Sequence, residues 1–129
     1  MTVVGIDLGT THCAVARVTA DEGARPALTP IAQLTSATSV EKLTLLPSFL
    51  YFAAEGEPDL ALPWDSERRY AAGEHARARG VEAPLRVVAS AKSWLCHAGV
   101  DRRSGLLPQH APSDIEAISP VEASYRLLD

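Results

Sequence analysis

The chain has 129 residues, of which 47% are hydrophobic and 22% charged, a composition typical of an ordinary globular domain. Its length is that of one domain, so two whole domains do not fit. The formal net charge is −4 and the arginines stand in scattered pairs. A nucleic-acid partner would need a clustered basic face, so we expect none.

No part of the sequence approaches the roughly 18 to 20 apolar residues that a membrane-spanning helix needs. Asp7 interrupts the first apolar run. Cys13 and Cys96 lie far apart and without metal-ligand spacing, so we interpret them as reduced thiols packed like small apolar residues. Together these features predict a cytoplasmic protein with no membrane partner.

The first elements are predicted to be a β-hairpin. VVGIDL at 3–8 is rich in β-branched residues and predicts a buried strand. After a short Gly/Thr break, the apolar run at 13–19 predicts its hairpin partner. A second turn cluster, DEGARP, follows at 21–26.

The next segments predict two more strands. ALTPIAQL at 27–34 predicts a third strand, which Pro30 should place at a sheet edge or bend, since proline lacks a backbone donor. Residues 35–43 are rich in Ser and Thr and predict a loop. The alternating aromatic run at 46–54 predicts a fourth strand.

The second half of the chain predicts helices joined by loops. After an acidic loop at 55–63, residues 67–80 hold a short apolar piece and then an Ala/Arg helix pattern that ends near Gly80. Apolar residues at helical spacing predict a helix over 85–99, where glycine supplies a stop. A loop is predicted over 99–117.

The last segment predicts the start of a helix with unusual clarity. Ser119 stands at N-cap, Pro120 at N1 and Glu122 at N3, which is a capping box with a favoured proline. Val121, Tyr125 and Leu128 form the predicted apolar stripe. The helix has a specified start and no specified end, so we expect this chain to be the amino-terminal piece of a longer protein.

GIDLGTT at 5–11 is the string most indicative of chemistry. Gly9 in a tight hairpin can take positive φ and lets the backbone approach a ligand closely. Backbone N–H groups and the hydroxyls of Thr10 and Thr11 could donate to phosphate oxygens. Asp7, at the end of a buried strand, would be a costly unpaired charge unless a hydrated Mg²⁺ faced it. From spacing alone, a plain β-turn whose Asp, Gly and Thr serve turn chemistry is the favoured interpretation.

The chain resembles a known family along nearly its whole length. GIDLGTT resembles the first phosphate motif of the actin-like ATPase superfamily, which includes actins, sugar kinases and heat-shock chaperones. Further segments are similar, in order, to DnaK-type heat-shock chaperones. They are Pro47–Phe52, Ala72–Ala76, Ala91–Leu95 and Ile118–Pro120. His12, Trp94 and the pair Cys96–His97 depart from the family pattern and suggest a divergent bacterial member.

The resemblance implies an α/β protein with the actin-like ATPase, or ribonuclease H-like, fold. The chain would supply its first part, a β-hairpin and meander sheet followed by a small α+β subdomain, with the rest of the ATPase domain and any peptide-binding domain absent. It implies that the parent binds ATP and ADP with Mg²⁺, hydrolyses ATP, and cycles client proteins with co-chaperones.

The resemblance also implies roles for particular residues. Asp7 would lie near the Mg²⁺ and act with Lys92, which would hold the γ-phosphate and the attacking water, as the catalytic residues. The residues implied to contact the nucleotide are Gly9, Thr10, Thr11 and His12. Without the resemblance, Lys92 is a solvated lysine on a helix edge, and this piece alone is expected to be inactive.

Other interpretations remain open. The parent could be a sugar or acid kinase of the same superfamily, or a non-catalytic scaffold that keeps the fold. We expect surface or loop positions for His75, His97 and His110, and packing roles for Trp64 and Trp94. We also expect the chain to self-associate, through its strands or its last helix, since a partial domain exposes apolar surface.

Overall fold

The computed structural model describes residues 1–20 and 23–129, so part of the predicted turn at 21–26 lies outside the described residues. It is a mixed α/β protein with several antiparallel sheets and few helices. The strands are β1 Thr2–Leu8, β2 His12–Thr19, β3 Ala27–Leu28, β4 Ile31–Ser36, β5 Ser39–Leu43, β6 Leu46–Pro47, β7 Phe49–Phe52, β8 Tyr70–Ala72 and β9 Val87–Ala89. The helices are α1 Glu74–Glu82, α2 Ala91–Trp94 and α3 Pro120–Leu128, with a 3-10 turn at Pro84–Arg86.

The predicted hairpin is confirmed as β1 and β2. They pair antiparallel from Thr2 opposite Thr19 to Leu8 opposite Cys13. β3 and β6 both pair with β2, so β2 is the centre of the first sheet and β1 is at its edge. The prediction that β1 is buried is wrong, because a strand with a single neighbour leaves most of its residues exposed.

A second hairpin, β4 and β5, occupies a region predicted as strand followed by loop. The chain breaks between β3 and β4 at Pro30, as expected of a residue that cannot donate to a ladder. The predicted loop at 35–43 is wrong, since β5 pairs with β4 from Ile31 opposite Leu43 to Ser36 opposite Ser39. The Ser and Thr residues here serve as exposed strand residues around a tight turn.

The third sheet has the order β8-β7-β9 and replaces a predicted helix. The helix predicted over 85–99 is wrong, because Val87–Ala89 pairs with β7 instead. Ser90 then takes a left-handed conformation with φ of 53°, and the helix that follows has only four residues. The predicted strand at 46–54 is divided at Ser48, so that β6 joins the first sheet and β7 the third.

The core forms on both faces of the third sheet. Because side chains alternate along a strand, Leu50 and Tyr51 of β7 enter different clusters. The first cluster comprises Cys13, Leu46, Leu50, Val88, Ala91, Leu107, Ile118, Ala123 and Leu127. The second comprises Leu34, Tyr51, Leu60, Leu62, Ala71 and Ala76.

Helix α1 is confirmed, two residues longer than predicted, and a glutamine fixes its start. The buried Gln33 side chain accepts from the Glu74 amide at 2.9 Å and donates to the Leu45 carbonyl at 2.9 Å. Gly73 has φ of 92°, and a Cβ there would clash with the Gln33 amide group. Gln33 therefore joins the second hairpin to α1.

Helix α3 begins as predicted but buries a different face. Ser119 Oγ accepts from the Glu122 amide at 3.0 Å, which confirms the N-cap. The predicted stripe is wrong, since Val121, Tyr125 and Leu128 are exposed. The buried residues of α3 are Pro120, Ala123, Ser124 and Leu127. None of the described helices has the length and apolar character that crossing a membrane requires.

The predictions for tryptophan and cysteine are each half right. Trp94 is partly buried and packs on the first cluster, whereas Trp64 is 59% exposed. Both cysteines are free, but only Cys13 is packed in the core and Cys96 is exposed. Their surroundings differ because Cys13 lies on the central strand β2 and Cys96 follows a four-residue helix.

Candidate functional site

The GIDLGTT string forms the last part of β1 and the turn into β2. Asp7 lies opposite Ala14, next to last in β1, and its side chain is exposed. Thr10 and Thr11 form the tip of the turn and are also exposed. The desolvation argument for a cation beside Asp7 is therefore wrong, but the tip is open to a ligand from solvent.

Position 9 accommodates only glycine, because the backbone of the turn lies too close for a side chain. A Cβ built on Gly9 would clash with the carbonyl oxygen of His12 and lie 3.1 Å from its carbonyl carbon. The positive φ anticipated for a hairpin glycine does not occur here; it occurs at Gly23, Gly56, Gly73 and Gly99. The sequence LGTTH thus makes a turn so tight that its backbone fills the space of a side chain.

Ser48 holds the turn with two hydrogen bonds from the protein side, a contact that the sequence did not predict. Its amide donates to the Thr11 carbonyl and its hydroxyl to the Gly9 carbonyl, each at 2.8 Å. Ser48 Oγ also lies 3.4 Å from Cys13 Sγ. The side chain is buried, and both turn carbonyls are occupied on the protein side. Because these two carbonyls bond to Ser48, they do not face a ligand at the tip of the turn. An anion could therefore approach the tip without repulsion from those carbonyl oxygens.

His12 follows the tip and lies beside the start of α1. It pairs across the sheet with Pro47, and its side chain is exposed. The hydrogen bond from Arg77 lowers the pKa of the Glu74 carboxyl, and the charge of the nearby His12 lowers it further. His12 is thus the first residue of β2, directly after the turn.

Lys92 is the second residue of α2, and its side chain is exposed. The preceding Ala91 is buried in the first cluster, which also contains Cys13 and against which Leu8 packs. The turn and α2 thus border the same cluster, since His12 precedes its member Cys13 and Lys92 follows its member Ala91. A shared cluster does not by itself bring the Lys92 side chain to the turn.

At the turn, Asp7 offers an exposed carboxylate to a metal ion. Within residues 1–20 and 23–129, no group of three or more His, Cys, Asp or Glu residues could enclose a metal ion. Mg²⁺ commonly needs only one or two carboxylates, with waters and substrate phosphates completing its shell. The exposed carboxylate of Asp7 could supply one such ligand.

A cavity of about 140 Å³ lies elsewhere, between the first two sheets and the end of α3. Its walls include Ile6, Val15, Leu34, Trp64 and Leu127, and none of the predicted site residues lines it. Arg68 and Arg126 also line it, but Arg68 is paired with Asp65 and Asp129 and Arg126 with Glu122. Because these guanidinium groups are already neutralised, we place the candidate site at the turn.

A polar network beside the second cluster was not predicted. The Tyr51 hydroxyl donates to Glu57, and Arg79 donates to the Glu57 carboxylate at 2.5 Å and to the Tyr51 oxygen at 3.0 Å.

The surface position predicted for His75 is wrong, because its ring is buried edge-on to Tyr51. Burial, together with the charge of Arg79, lowers the pKa of His75. His97 and His110 are exposed, as predicted.

The network predicts an acid-sensitive contribution to stability. Burial raises the pKa of Glu57, but hydrogen bonds from Tyr51 and the Ala54 amide and the charges of Arg79 and Arg86 outweigh it, so the pKa falls below 4.5. A carboxyl with a lowered folded-state pKa stabilises the protein above its unfolded pKa, and this contribution disappears as pH falls through the folded value.

We expect Glu57→Gln to lower the free energy of unfolding at neutral pH, with the difference from wild type shrinking below about pH 4.5. Urea unfolding at a series of pH values measures both quantities. Glu55→Gln, an exposed position two residues earlier, is the control and should change little. A Glu57→Gln difference that stays constant with pH would contradict the assignment.

No protein-family model matches this sequence, and no curated protein sequence matches it. The resemblance described above therefore rests on the sequence motifs alone.

Proposed function

We propose that residues 1–129 form the first part of the ATP-binding domain of a DnaK-like molecular chaperone of the actin-like ATPase superfamily. The observation that carries the proposal is the turn Gly9–Thr11. It is open to solvent, its carbonyls are occupied by Ser48 on the protein side, and the Asp7 carboxylate is exposed beside it. These are the features expected of a phosphate-binding turn on a hairpin.

The arrangement of strands is that of a mixed α/β protein, which is compatible with the proposal. A sheet with successive antiparallel strands β1, β2 and β3 is followed by a hairpin and a small sheet with helices. The edge strand β1 leaves Val4 and Ile6 exposed, a surface that the remainder of a two-lobed ATPase domain would cover. We therefore propose that the ATPase domain is completed by sequence outside these residues.

In this proposal, the residues have separate roles in binding ATP and ADP and in hydrolysing ATP. Gly9 lets the backbone approach the phosphates, Thr10 and Thr11 donate to them, and His12 lies at their margin. Asp7 would hold Mg²⁺, which when bound neutralises phosphate charge. Lys92 would stabilise the charge that develops on the transferred phosphoryl group. Client proteins and co-chaperones are the partners proposed for the parent, in the cytoplasm.

Calorimetry and a turnover assay test this proposal. We expect the 129-residue chain to show neither micromolar affinity for MgATP nor steady ADP production, because half a cleft leaves most of the nucleotide uncontacted. The chain extended by its downstream coding sequence should show both, and addition of unfolded client protein should alter its turnover.

Three results would contradict the proposal. Micromolar binding or turnover by the 129-residue chain would show that the site is complete without a second lobe. ADP production by the extended protein that depends on a sugar or a carboxylic acid would identify a kinase instead. Client-independent binding without turnover would favour a scaffold.

A further inference from the structure

Helix α1 buries only a small part of its surface. Of its nine residues, His75 and Ala76 are the buried ones. No side chain of the N-cap residue bonds to its first turn, and the Glu74 amide donates instead to Gln33 Oε1 at 2.9 Å. An element with so few buried side chains belongs to the low-stability end of a structure, where local opening is easiest. One of the two buried side chains that hold α1 is therefore a titratable group.

The His75 ring lies in surroundings that disfavour a positive charge. It is 9% exposed and lies edge-on to Tyr51 of β7, with the two ring centroids 6.3 Å apart. The guanidinium group of Arg79, one turn further along α1, adds a positive charge nearby. Burial, together with that charge, lowers the pKa of His75 below its usual 6.5. Protonation of the buried ring therefore costs free energy.

The two carboxylates whose charges act on His75 are paired with Arg79. Glu57 accepts from Arg79 at 2.5 Å, and Glu82 forms a second ion pair with it. Both carboxylates raise the pKa of His75, but burial and the charge of Arg79 outweigh them. The carboxylates therefore do not compensate a proton on the ring.

Within the described part of the chain, the other elements packed on α1 bring no further titratable group to the ring. The strands β4, β6 and β9 contain no charged side chain. Tyr70 of β8 donates to Asp129, and Arg86 of the 3-10 turn pairs with Asp114. The charge state of His75 therefore depends on burial and on the groups of the Tyr51 network.

We propose that α1 is an acid-released helix, in which protonation of His75 detaches α1 from β7 and from Gln33 while the first sheet stays folded. The imidazolium regains its hydration when α1 opens, so the open form binds a proton more tightly than the closed form. Falling pH therefore shifts the population toward the open form. Opening also uncovers the second cluster, to which Ala76 belongs. This proposal does not depend on nucleotide binding.

The pH range separates this effect from that of Glu57. The stabilising contribution of Glu57 disappears below about pH 4.5, whereas the closed form of α1 loses stability as the pH falls below 6.5. Because one proton is involved, the opening constant can rise by at most about tenfold per pH unit.

Amide hydrogen exchange of the 129-residue chain, corrected for the pH dependence of intrinsic exchange, measures the opening. We expect the opening constant at the Arg77 and Ala83 amides, which are hydrogen-bonded within α1, to rise several-fold between about pH 7 and about pH 5. The Ser48 amide, which bonds to Thr11 away from α1, should keep its protection.

Two substitutions remove the titrating group. His75→Gln is neutral at every pH and should make the opening constant of α1 independent of pH over this range. His75→Phe keeps an aromatic ring against Tyr51 and should have the same effect. His97→Gln, at an exposed histidine, is the control and should retain the wild-type pH dependence.

Any of three results would overturn the proposal. A pH dependence of α1 opening that persists in both His75 variants would assign it to another group. Loss of protection at Ser48 together with α1 would show that the whole chain opens and not one helix. In the wild-type protein, an NMR titration of the His75 ring with a midpoint at or above 6.5 would show that the fold does not disfavour its protonation. This last measurement decides the matter even if neither variant folds.

Discussion

Gly9→Ala is expected to lower the free energy of unfolding by about 1–3 kcal/mol, the usual cost of forcing extra atoms into a filled space. The methyl group would meet the His12 carbonyl, which is backbone and cannot move aside as a flexible side chain would. The turn has to open to accommodate it. Its contacts with Ser48 then change as well, because they hold the carbonyls of Gly9 and Thr11.

Gly5→Ala is the matched control for this change. Gly5 lies in the same strand, its φ is not positive, and nothing lies within 4 Å of the Cβ position. Alanine at such a site restricts the unfolded chain and should raise the free energy of unfolding by about 0.4–1 kcal/mol. Urea unfolding of both variants therefore yields shifts of opposite sign.

If the Gly9→Ala and Gly5→Ala proteins had the same free energy of unfolding, the claim that the turn leaves no space for a side chain at position 9 would be wrong. A destabilised Gly9→Ala protein whose Ser48 amide shows unchanged hydrogen exchange would contradict the coupling of the turn to Ser48. In the extended protein, Gly9→Ala should also weaken MgATP binding, since the phosphate-contacting backbone moves with the turn.

Local signals in the sequence predicted the elements whose stabilising contacts are themselves local. The β1–β2 hairpin follows from two β-branched runs around a Gly/Thr break, and the start of α3 follows from the Ser119 cap, which bonds three residues along. Pro30 predicted the break between β3 and β4, because proline lacks a backbone N–H donor and interrupts a strand ladder in any tertiary context.

The elements that were mispredicted depend on distant partners. Val87–Ala89 is a strand because it pairs with β7, almost forty positions earlier, and this pairing outweighs a helical spacing of apolar residues. Burial was mispredicted for β1 and for one face of α3 for the same reason, since only the neighbouring elements determine which side is covered.

The sequence predicted the motif of the candidate site but not the residue that holds the turn in place. GIDLGTT indicated a turn able to receive phosphate, and the structure places it at an exposed hairpin tip. Ser48 was visible only as part of a resembling segment. Its hydrogen bonds to Gly9 and Thr11 span 39 and 37 residues, a distance at which one sequence carries no pairing signal.

Lys92→Ala in the extended protein is expected to lower kcat for ATP hydrolysis by about 10²–10³-fold, the loss typical of removing one donor that stabilises transition-state charge. In the proposed site, negative charge builds on the transferred phosphoryl group and its neighbouring oxygens, and the Lys92 ammonium would stabilise that charge. Because the effect belongs to the transition state, the affinity for MgADP should change little.

The chain provides its own matched control, because Lys42 is its other lysine and lies exposed on β5. Lys42→Ala removes the same charge and should leave both kcat and nucleotide affinity at wild-type values. Equal losses in the two variants would indicate a general effect of net charge. Unchanged hydrolysis in Lys92→Ala would remove Lys92 from the proposed catalytic residues, and the turn Gly9–Thr11 would then remain as a phosphate-binding element alone.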